Sequence, residues 1–337
     1  MSEIRVNNIT NRDGSTGTTV AGIPVVDSTS HFVVPSGDTA ERGSRGRGVF
    51  GGGYNPTFTN RIEYITIATL GNSSDFGDLS GERKFIAGAS DSTRGLFMGG
   101  NNPSNNPQDT IDYVTISSTG NAFDFGNLTT TTAFTSALND RVRAVYGGGQ
   151  TPTRTDIIQS VIVQSKGNAF EFGNLLKPRS SSGSVSNSIR GLWGGGSNPG
   201  NTNSIEYITI STGGTSQDFG DLTRTHEYMA ASSNAIRGLF HGGNPTTNII
   251  DYVTIASTGD ATDFGDLIEA ARGMMQGQLT NSTRGVFVGG KNPGSPGYND
   301  IISYVTIAST GNAIDFGDTA STISYGGAVS DTNGGLG

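Results

Sequence analysis

The clearest pattern along the chain is a short segment in which apolar and polar residues alternate and β-branched residues are frequent. It reads RIEYITIAT at 61–69, and five variants follow: TIDYVTISS, IQSVIVQS, SIEYITIST, IIDYVTIAS and IISYVTIAS. Alternation with β-branched side chains is typical of a half-buried β-strand. The pattern therefore predicts six equivalent strands.

Three further segments accompany each copy of this strand in a fixed order. A run such as RGVFGGG at 47–53 precedes it, a DFGDL motif follows it, and a stretch of small residues such as KFIAGASD at 84–91 ends the unit. The arginines that open the first run repeat every 47 to 49 residues: Arg47, Arg94, Arg143, Arg190, Arg237 and Arg284. Four short strands in about 47 residues predict a propeller blade.

We label the strands of a blade a (small residues), b (RGVFGGG), c (alternating) and d (DFGDL). Strand a suits the innermost position, where the blades crowd together and large side chains do not fit. We expect the a strands to begin at the following positions: Phe85, Ala133, Ser181, Tyr228, Met274 and Ile323. The chain thus opens on a b strand and ends on an a strand, and the segment 323–331 is expected to pair beside 47–53, leaving no open edge.

The predicted fold is all-β: a six-bladed β-propeller over residues 44–337, closed by its C-terminal strand and preceded by an extended arm over residues 1–43. The absence of cysteine excludes disulfides and thiolate chemistry. A formal charge of −8 argues against nucleic-acid binding, which needs a basic face. No run of eighteen apolar residues and no secretory signal is apparent, so membrane insertion is not expected.

The repeat resembles the kelch repeat, which has a double glycine after the second strand, a later tyrosine and a still later aromatic residue. It departs from that pattern because phenylalanine replaces the kelch tryptophan in all six copies and Ser160 replaces the tyrosine in the third. The resemblance implies a kelch-like propeller.

The amino-acid sequence of the repeat resembles virion structural proteins of marine tailed bacteriophages, especially cyanophages. So do the segments MSEIRVNNI and GIPVVDSTSHFVVPSGDT in the arm. This resemblance implies a non-enzymatic component of the virion, assembled in the host cytoplasm, such as a tail or baseplate appendage or a fibre. A capsid or neck decoration protein and a free lectin-like binding module are the alternatives.

Several residue types invite a chemical interpretation, but each is tied to the repeat. The six arginines could form an anion-binding ring, although pairing with a carboxylate or carbonyl at each blade boundary explains their recurrence better. Paired acids such as Asp75 and Asp78 could bind calcium, but turn capping is favoured because the spacing matches no calcium loop. The three histidines have no spacing suited to a metal: His31, His226 and His241.

A sialidase is the strongest enzymatic alternative, because Ser73, Asp75 and Gly77 resemble the Asp box of that family. Catalysis needs a unique and asymmetric group of residues, whereas the arginines, acids and tyrosines of this chain recur in every blade. We therefore expect no enzyme, no cofactor and no metal.

The b–c loops are the most variable part of the repeat, and they are rich in Asn, Pro, Gly and Thr. Variable loops on a rigid scaffold commonly carry recognition, although they are also where sequence variation is tolerated. Exposed aromatic and Asn side chains suit sugars, so a host cell-surface polysaccharide is the expected ligand. The predicted contact residues are Tyr54, Phe58, Asn101, Asn105, Arg154, Asn198, Lys291 and Tyr298.

The N-terminal arm carries apolar residues that it cannot bury within itself. Such residues normally mark a partner site, and strand addition to a neighbouring subunit would satisfy them. We expect the arm to join other virion proteins, and resemblance to phage fibres makes a homotrimer plausible. The predicted anchor residues are Ile4, Val6, Ile9, Val25, Val26, Phe32 and Val33.

Overall fold

The computed structural model describes residues 19–20, 23–24, 46–294 and 297–332. The chain divides into two units, Met1–Ser44 and Arg45–Gly337. In the first unit, Thr19–Val20 pairs antiparallel with Ile23–Pro24. The predicted anchor residues lie outside the described residues: Ile4, Val6, Ile9, Val25, Val26, Phe32 and Val33.

The second unit is a six-bladed β-propeller, as the repeat predicts, and no helix occurs among the described residues. The strands of the first three blades, in the order a to d, are Gly327–Ser330, Arg47–Asn55, Thr57–Thr66 and Ser74–Asp78; Ala87–Ser90, Arg94–Met98, Gln108–Thr115 and Phe123–Thr132; and Ser136–Asn139, Arg143–Gly147, Ile157–Ile162 and Phe170–Asn174. Those of the last three are Gly183–Ser186, Arg190–Gly194, Ser204–Thr209 and Gln217–Asp221; Ala230–Ser233, Arg237–His241, Thr247–Thr254 and Thr262–Ala271; and Gln276–Gly277, Arg284–Val288, Ile301–Thr306 and Ile314–Asp318.

Three short segments add to the blades without changing their order. Two of them are small hairpins in the b–c loops of blades 3 and 4: Gln150–Thr151 with Thr153–Arg154, and Ser197–Asn198 with Gly200–Asn201. The third, Gly214–Thr215, pairs in parallel with strand d of blade 3. The blades therefore differ mainly in their connections.

The C-terminal strand closes the ring as predicted. Gly327–Ser330 pairs antiparallel with strand b of blade 1, so that Val329 lies opposite Val49 and Ala328 opposite Phe50. Blade 6 is less regular, because its short strand a pairs in parallel with Gly327–Ser330. The segment around it joins its own strand b through the bridge from Thr280 to Gly285 and the hydrogen bond from Val286 N to the Leu279 carbonyl.

The prediction that small residues form the innermost strands is confirmed, but their starts were placed two to four residues too early. Ser184 Oγ donates to the Ala137 carbonyl of the preceding blade at 2.7 Å, and a Cβ on Gly88 would lie 2.2 Å from the Ala328 carbonyl oxygen. The residues that were expected to open these strands instead lie in the d–a connections.

The repeated arginines fasten each blade to the next. The Arg237 guanidinium stacks on Tyr252 of its own blade, 4.8 Å from the ring centre, and Nη1 donates to the Ile307 carbonyl of blade 6 at 3.0 Å. The corresponding carbonyl acceptors are those of Ile116, Val163, Ile210, Ile255 and Ile67. This confirms that the arginines pair with carbonyls at the blade boundaries.

The c–d turn of each blade covers the outer strand of the blade before it. Gly120 N donates to the Phe76 carbonyl at 2.7 Å, and Asn121 Oδ1 accepts from Asp78 N at 3.1 Å. Turn capping by the DFGD acids was therefore wrong in detail, since Asp78 contributes its amide rather than its carboxylate. The caps come instead from residues in the a–b turns, such as Asn234, whose Oδ1 accepts from the Arg237 amide at 2.8 Å.

Candidate ligand-binding face

The b–c loops and the d–a connections meet at one end of the propeller, which we call the loop face. In each blade the two connections are joined by one antiparallel bridge: Tyr54 with Ser324, Lys84 with Asn101, Ala133 with Gln150, Ser180 with Ser197, Glu227 with Asn244, and Arg272 with Lys291. The variable loops therefore rest on the connections nearest the propeller axis. The a–b and c–d turns form the opposite face.

Six equivalent residues of the d–a connections surround the axis on the loop face. All have left-handed backbone conformations with φ between 55° and 60°: Phe85, Phe134, Ser181, Tyr228, Gly273 and Tyr325. In five of these residues, all except Phe134, the backbone amide donates to the carbonyl of the equivalent residue in the preceding blade, at 2.6 to 3.0 Å. This conformation costs about 1 kcal/mol or more for a residue with a side chain, so the circumferential hydrogen bonds offset a real strain.

Four of these residues are aromatic, and their half-buried rings form a depression that we call the axial cup. Phe85 and Phe134 lie 3.9 Å apart between ring centres, and Phe85 and Tyr325 lie 4.8 Å apart. Tyr228 is within 6.2 Å of each of the other three rings. The cup is a small recess of about 10 Å³, and Ser181 forms part of its wall.

A second group of rings lies on the b–c loops of blades 1 and 6, and we call it the blade-1 cluster: Tyr54, Phe58 and Tyr298. Tyr54 packs edge-on against Phe58 at 5.6 Å and lies 5.9 Å from Tyr298. Lys291 Nζ is 5.6 Å from the Tyr298 ring. Four of the eight predicted contact residues are thus brought together.

A polar pocket of about 190 Å³ lies beside Phe58. Its other walls come from the b–c loop of blade 1 and the last d–a connection: Asn55, Thr57, Thr59, Arg61, Ser321 and Ile323. Asn55 Nδ2 and Arg61 Nη2 both donate to Ser321 Oγ, at 3.1 and 2.7 Å. The pocket presents hydroxyl, amide and guanidinium groups beside one aromatic ring.

Lys84 joins the blade-1 cluster to the axial cup. Its Nζ lies 4.8 Å from the ring centre of Tyr54, 4.5 Å from that of Phe58 and 5.2 Å from that of Phe85. Hydrogen bonds in both directions between the backbones of Lys84 and Asn101, at 2.8 and 3.0 Å, hold it in place. Burial lowers the pKa of Lys84 below its ordinary value.

The other four predicted contact residues lie on blades 2, 3 and 4, and one of them, Asn101, adjoins the blade-1 cluster through its bridge to Lys84. Asn101 is only 7% exposed, and Asn105 is exposed at a turn with φ 57°. Arg154 Nη2 donates to Ser197 Oγ at 2.8 Å, and Asn198 pairs with Gly200 in a short hairpin.

Sequence reasoning missed the axial cup and Lys84. The signal was present as an aromatic residue directly before the small-residue run in four of the six repeats, at Phe85, Phe134, Tyr228 and Tyr325. Strand c also contains buried acids that sequence reasoning passed over. Asp112 pairs with Arg83 at 2.5 Å and accepts from Ser80 N of the preceding blade at 3.2 Å, so its role is to hold blades together.

The described residues contain no group of three or more His, Asp or Glu side chains able to hold a metal ion. Over the same ranges, we find no helix with the length and apolar character that a membrane crossing requires. No protein-family model matches the chain, and a search of the curated proteins finds no significant match. The fold and the loop face thus define a six-bladed β-propeller with an aromatic recess on its axis.

Proposed function

We propose that this protein is a non-enzymatic, carbohydrate-binding propeller that a phage particle displays for attachment to host-surface polysaccharide. The observation that carries the proposal is Phe58, a half-buried ring that lines the polar pocket and packs against Tyr54. A pyranose stacks its C–H face on an aromatic ring and directs its hydroxyls at amides, hydroxyls and guanidinium groups. The rings and the polar groups of blade 1 supply both kinds of contact.

The rigidity of the scaffold favours binding. Each blade is fastened to the next by an arginine, a covering c–d turn and, in blades such as blade 2, a buried ion pair. A site that is already formed loses little conformational entropy when the ligand arrives. The repeated arginines and buried acids are engaged in these contacts between blades. Because they serve the scaffold, they support a binding role rather than catalysis.

The place of the protein on a particle is proposed from two resemblances. The repeats resemble kelch repeats, and the sequences of the repeat and the arm resemble cyanophage virion proteins. Residues 1–43 would join other virion proteins and could associate with copies of themselves. Electron microscopy of intact particles with a labelled propeller tests this directly. A label on the tail or baseplate is expected, whereas a label on the capsid or neck favours a reinforcing role, and absence from particles favours a free binding module.

A shortened chain beginning at Ser44 tests the anchoring role of the arm. It is expected to fold as a soluble monomer and to fail to join the particle. Incorporation equal to that of the full chain would show that the propeller itself carries the docking site.

Substitution of Phe58 tests glycan binding. The full chain and its Phe58→Ala variant are compared on an array of polysaccharides, with Ile189→Ala as control because Ile189 is 62% exposed in an a–b turn of the opposite face. We expect Phe58→Ala to weaken binding about fivefold, since stacking on one ring contributes about 1 kcal/mol. Equal binding by all three proteins, or no binding by any, would overturn the proposal.

A further inference from the structure

We infer that the ligand is an acidic glycan chain that spans the blade-1 pocket and the axial cup, with an anionic group of the sugar held at Lys84. The inference rests on the proposed carbohydrate binding and names the ligand class and a second subsite.

Lys84 is a cation whose ammonium group has no carboxylate partner among the described residues. It is half-buried, it faces three aromatic rings, and burial lowers its pKa. Ring faces attract a cation but do not neutralise it. A carboxylate or sulfate bound at this ammonium group would do so.

The two recesses meet at this lysine. Phe58 is a wall of the polar pocket and Phe85 is a wall of the axial cup, and both rings face the same ammonium group. The cup itself is too small for a sugar, so a sugar unit in the pocket and a neighbouring unit stacked over the mouth of the cup would place their connecting segment near Lys84. The cup is lined mainly by ring carbons, which suits the C–H face of a pyranose better than its hydroxyl edge.

The charges of the surrounding loops favour an anion although the whole chain carries −8. Arg272 lies beside Tyr325 of the cup and opposes the rise in its pKa that burial causes, and Lys291 faces Tyr298. Two acids of these loops accept from neutral amides: Glu227 from Asn244 Nδ2 at 3.1 Å, and Glu269 from Asn292 Nδ2 at 2.5 Å. Lys84, Arg272 and Lys291 are the cations that would attract an anionic group here.

Binding of the full chain to three purified polysaccharides tests the inference: a neutral glucan, a polyuronate and a sulfated glucan. We expect one or both acidic polymers to bind more tightly than the neutral one, and the two acidic arms separate a carboxylate from a sulfate. Affinity should fall as salt is raised, because the contact is partly ionic.

Lys84→Gln is the decisive variant, and Lys166→Gln is its matched control. Lys166 also faces a tyrosine, Tyr113 at 4.6 Å, but it lies in a c–d turn of the opposite face, so both variants remove one cation from an aromatic ring. Lys84→Gln should weaken binding of the acidic polymer about tenfold and leave neutral binding unchanged, because a hydrogen bond to a charged group contributes about 1.5 kcal/mol. Lys166→Gln should change neither.

Phe134→Ser tests the axial subsite, since Ser181 stands at the equivalent left-handed position in blade 4. Affinity for long acidic oligosaccharides should fall about fivefold while that for a disaccharide is kept, with melting temperature as the check on folding. Equal binding of neutral and acidic polymers, or equal loss of both in Lys84→Gln, would overturn the inference while the proposed function stands. Failure of every polysaccharide to bind would overturn the proposed function itself.

Discussion

Arg237 shows how a single repeated side chain joins two blades through two different contacts. Its guanidinium stacks on Tyr252 and donates to the Ile307 carbonyl. Arg237→Ala should lower the free energy of unfolding by about 1–2 kcal/mol, and Arg237→Lys by less, because lysine keeps the charge and loses the planar stack. Urea unfolding measures both values. Equal stability of the alanine variant and the wild type would show that these two contacts of Arg237 contribute nothing to the free energy of unfolding.

His241 makes the stability of the protein depend on pH. It is fully buried against Phe287 at 4.1 Å, neither ring nitrogen has a hydrogen-bond partner among the described residues, and burial lowers its pKa from the usual 6.5 to about 3. Between these two pH values the unfolded chain binds a proton and the folded chain does not. His241 therefore lowers stability as the pH falls, by about 1.4 kcal/mol per unit.

His241→Met is the matched variant for this pH dependence, since Met98 occupies the equivalent buried position in blade 2. Urea unfolding measures the stability of both proteins between about pH 7 and pH 4, a range that lies largely between the two pKa values. The wild type should lose stability more steeply than the variant as the pH falls. Parallel curves would show that the buried histidine keeps its proton equilibrium on folding.

At the scale of the strand and turn, close backbone contact decides which residues the repeat allows. Gly265 in strand d of blade 5 has φ 147°, and a Cβ there would lie 2.5 Å from the Gly311 carbonyl oxygen of the covering turn. Gly265→Ala should cost about 2–4 kcal/mol of stability, whereas Gly200→Ala, with nothing within 4 Å, should be nearly neutral. Thermal unfolding distinguishes them, and similar melting temperatures would contradict the contact.

The strands that could be placed from the sequence were those with a clear alternation of apolar and polar residues or a clearly repeated motif. Strands b and c follow from their aromatic and β-branched positions, and the count of strands gave the closure. The starts of the a strands were wrong because Phe85 and Tyr228 look like strand residues, yet they adopt left-handed conformations that only the circumferential hydrogen bonds stabilise. Each of those bonds joins residues of different blades, and the one from the Phe85 amide to the Tyr325 carbonyl joins the two ends of the ring, so no local pattern predicts them.

The candidate site was predictable in the same partial way. Tyr54, Phe58 and Tyr298 were selected as loop aromatics, and the fold brings them together although Tyr298 is far away in sequence. Lys84 could not be selected, because it lies in a different connection and its meaning comes from three rings contributed by separate segments. Asn101 was selected for its residue type, and its burial in a bridge was not visible in the sequence.

At the scale of the whole molecule, one short strand closes the ring. Val329 is fully buried and lies opposite Val49, so removal of residues 323–337 would expose strand b of blade 1 and the core of the last interface. We expect that deletion to abolish cooperative thermal unfolding, while deletion of 333–337 alone, which spares Gly327–Ser330, should not. A chain lacking 323–337 that melts like the full protein would contradict closure by this strand.

The most direct test of the central claim is a crystal structure of the full chain with an acidic oligosaccharide bound. We expect one sugar ring against Phe58 in the polar pocket, a second stacked over the mouth of the axial cup beside Phe85 and Tyr325, and an anionic group at Lys84 Nζ. A sugar bound only on the opposite face, at the a–b turns that carry Ile189 and Ile236, would contradict it.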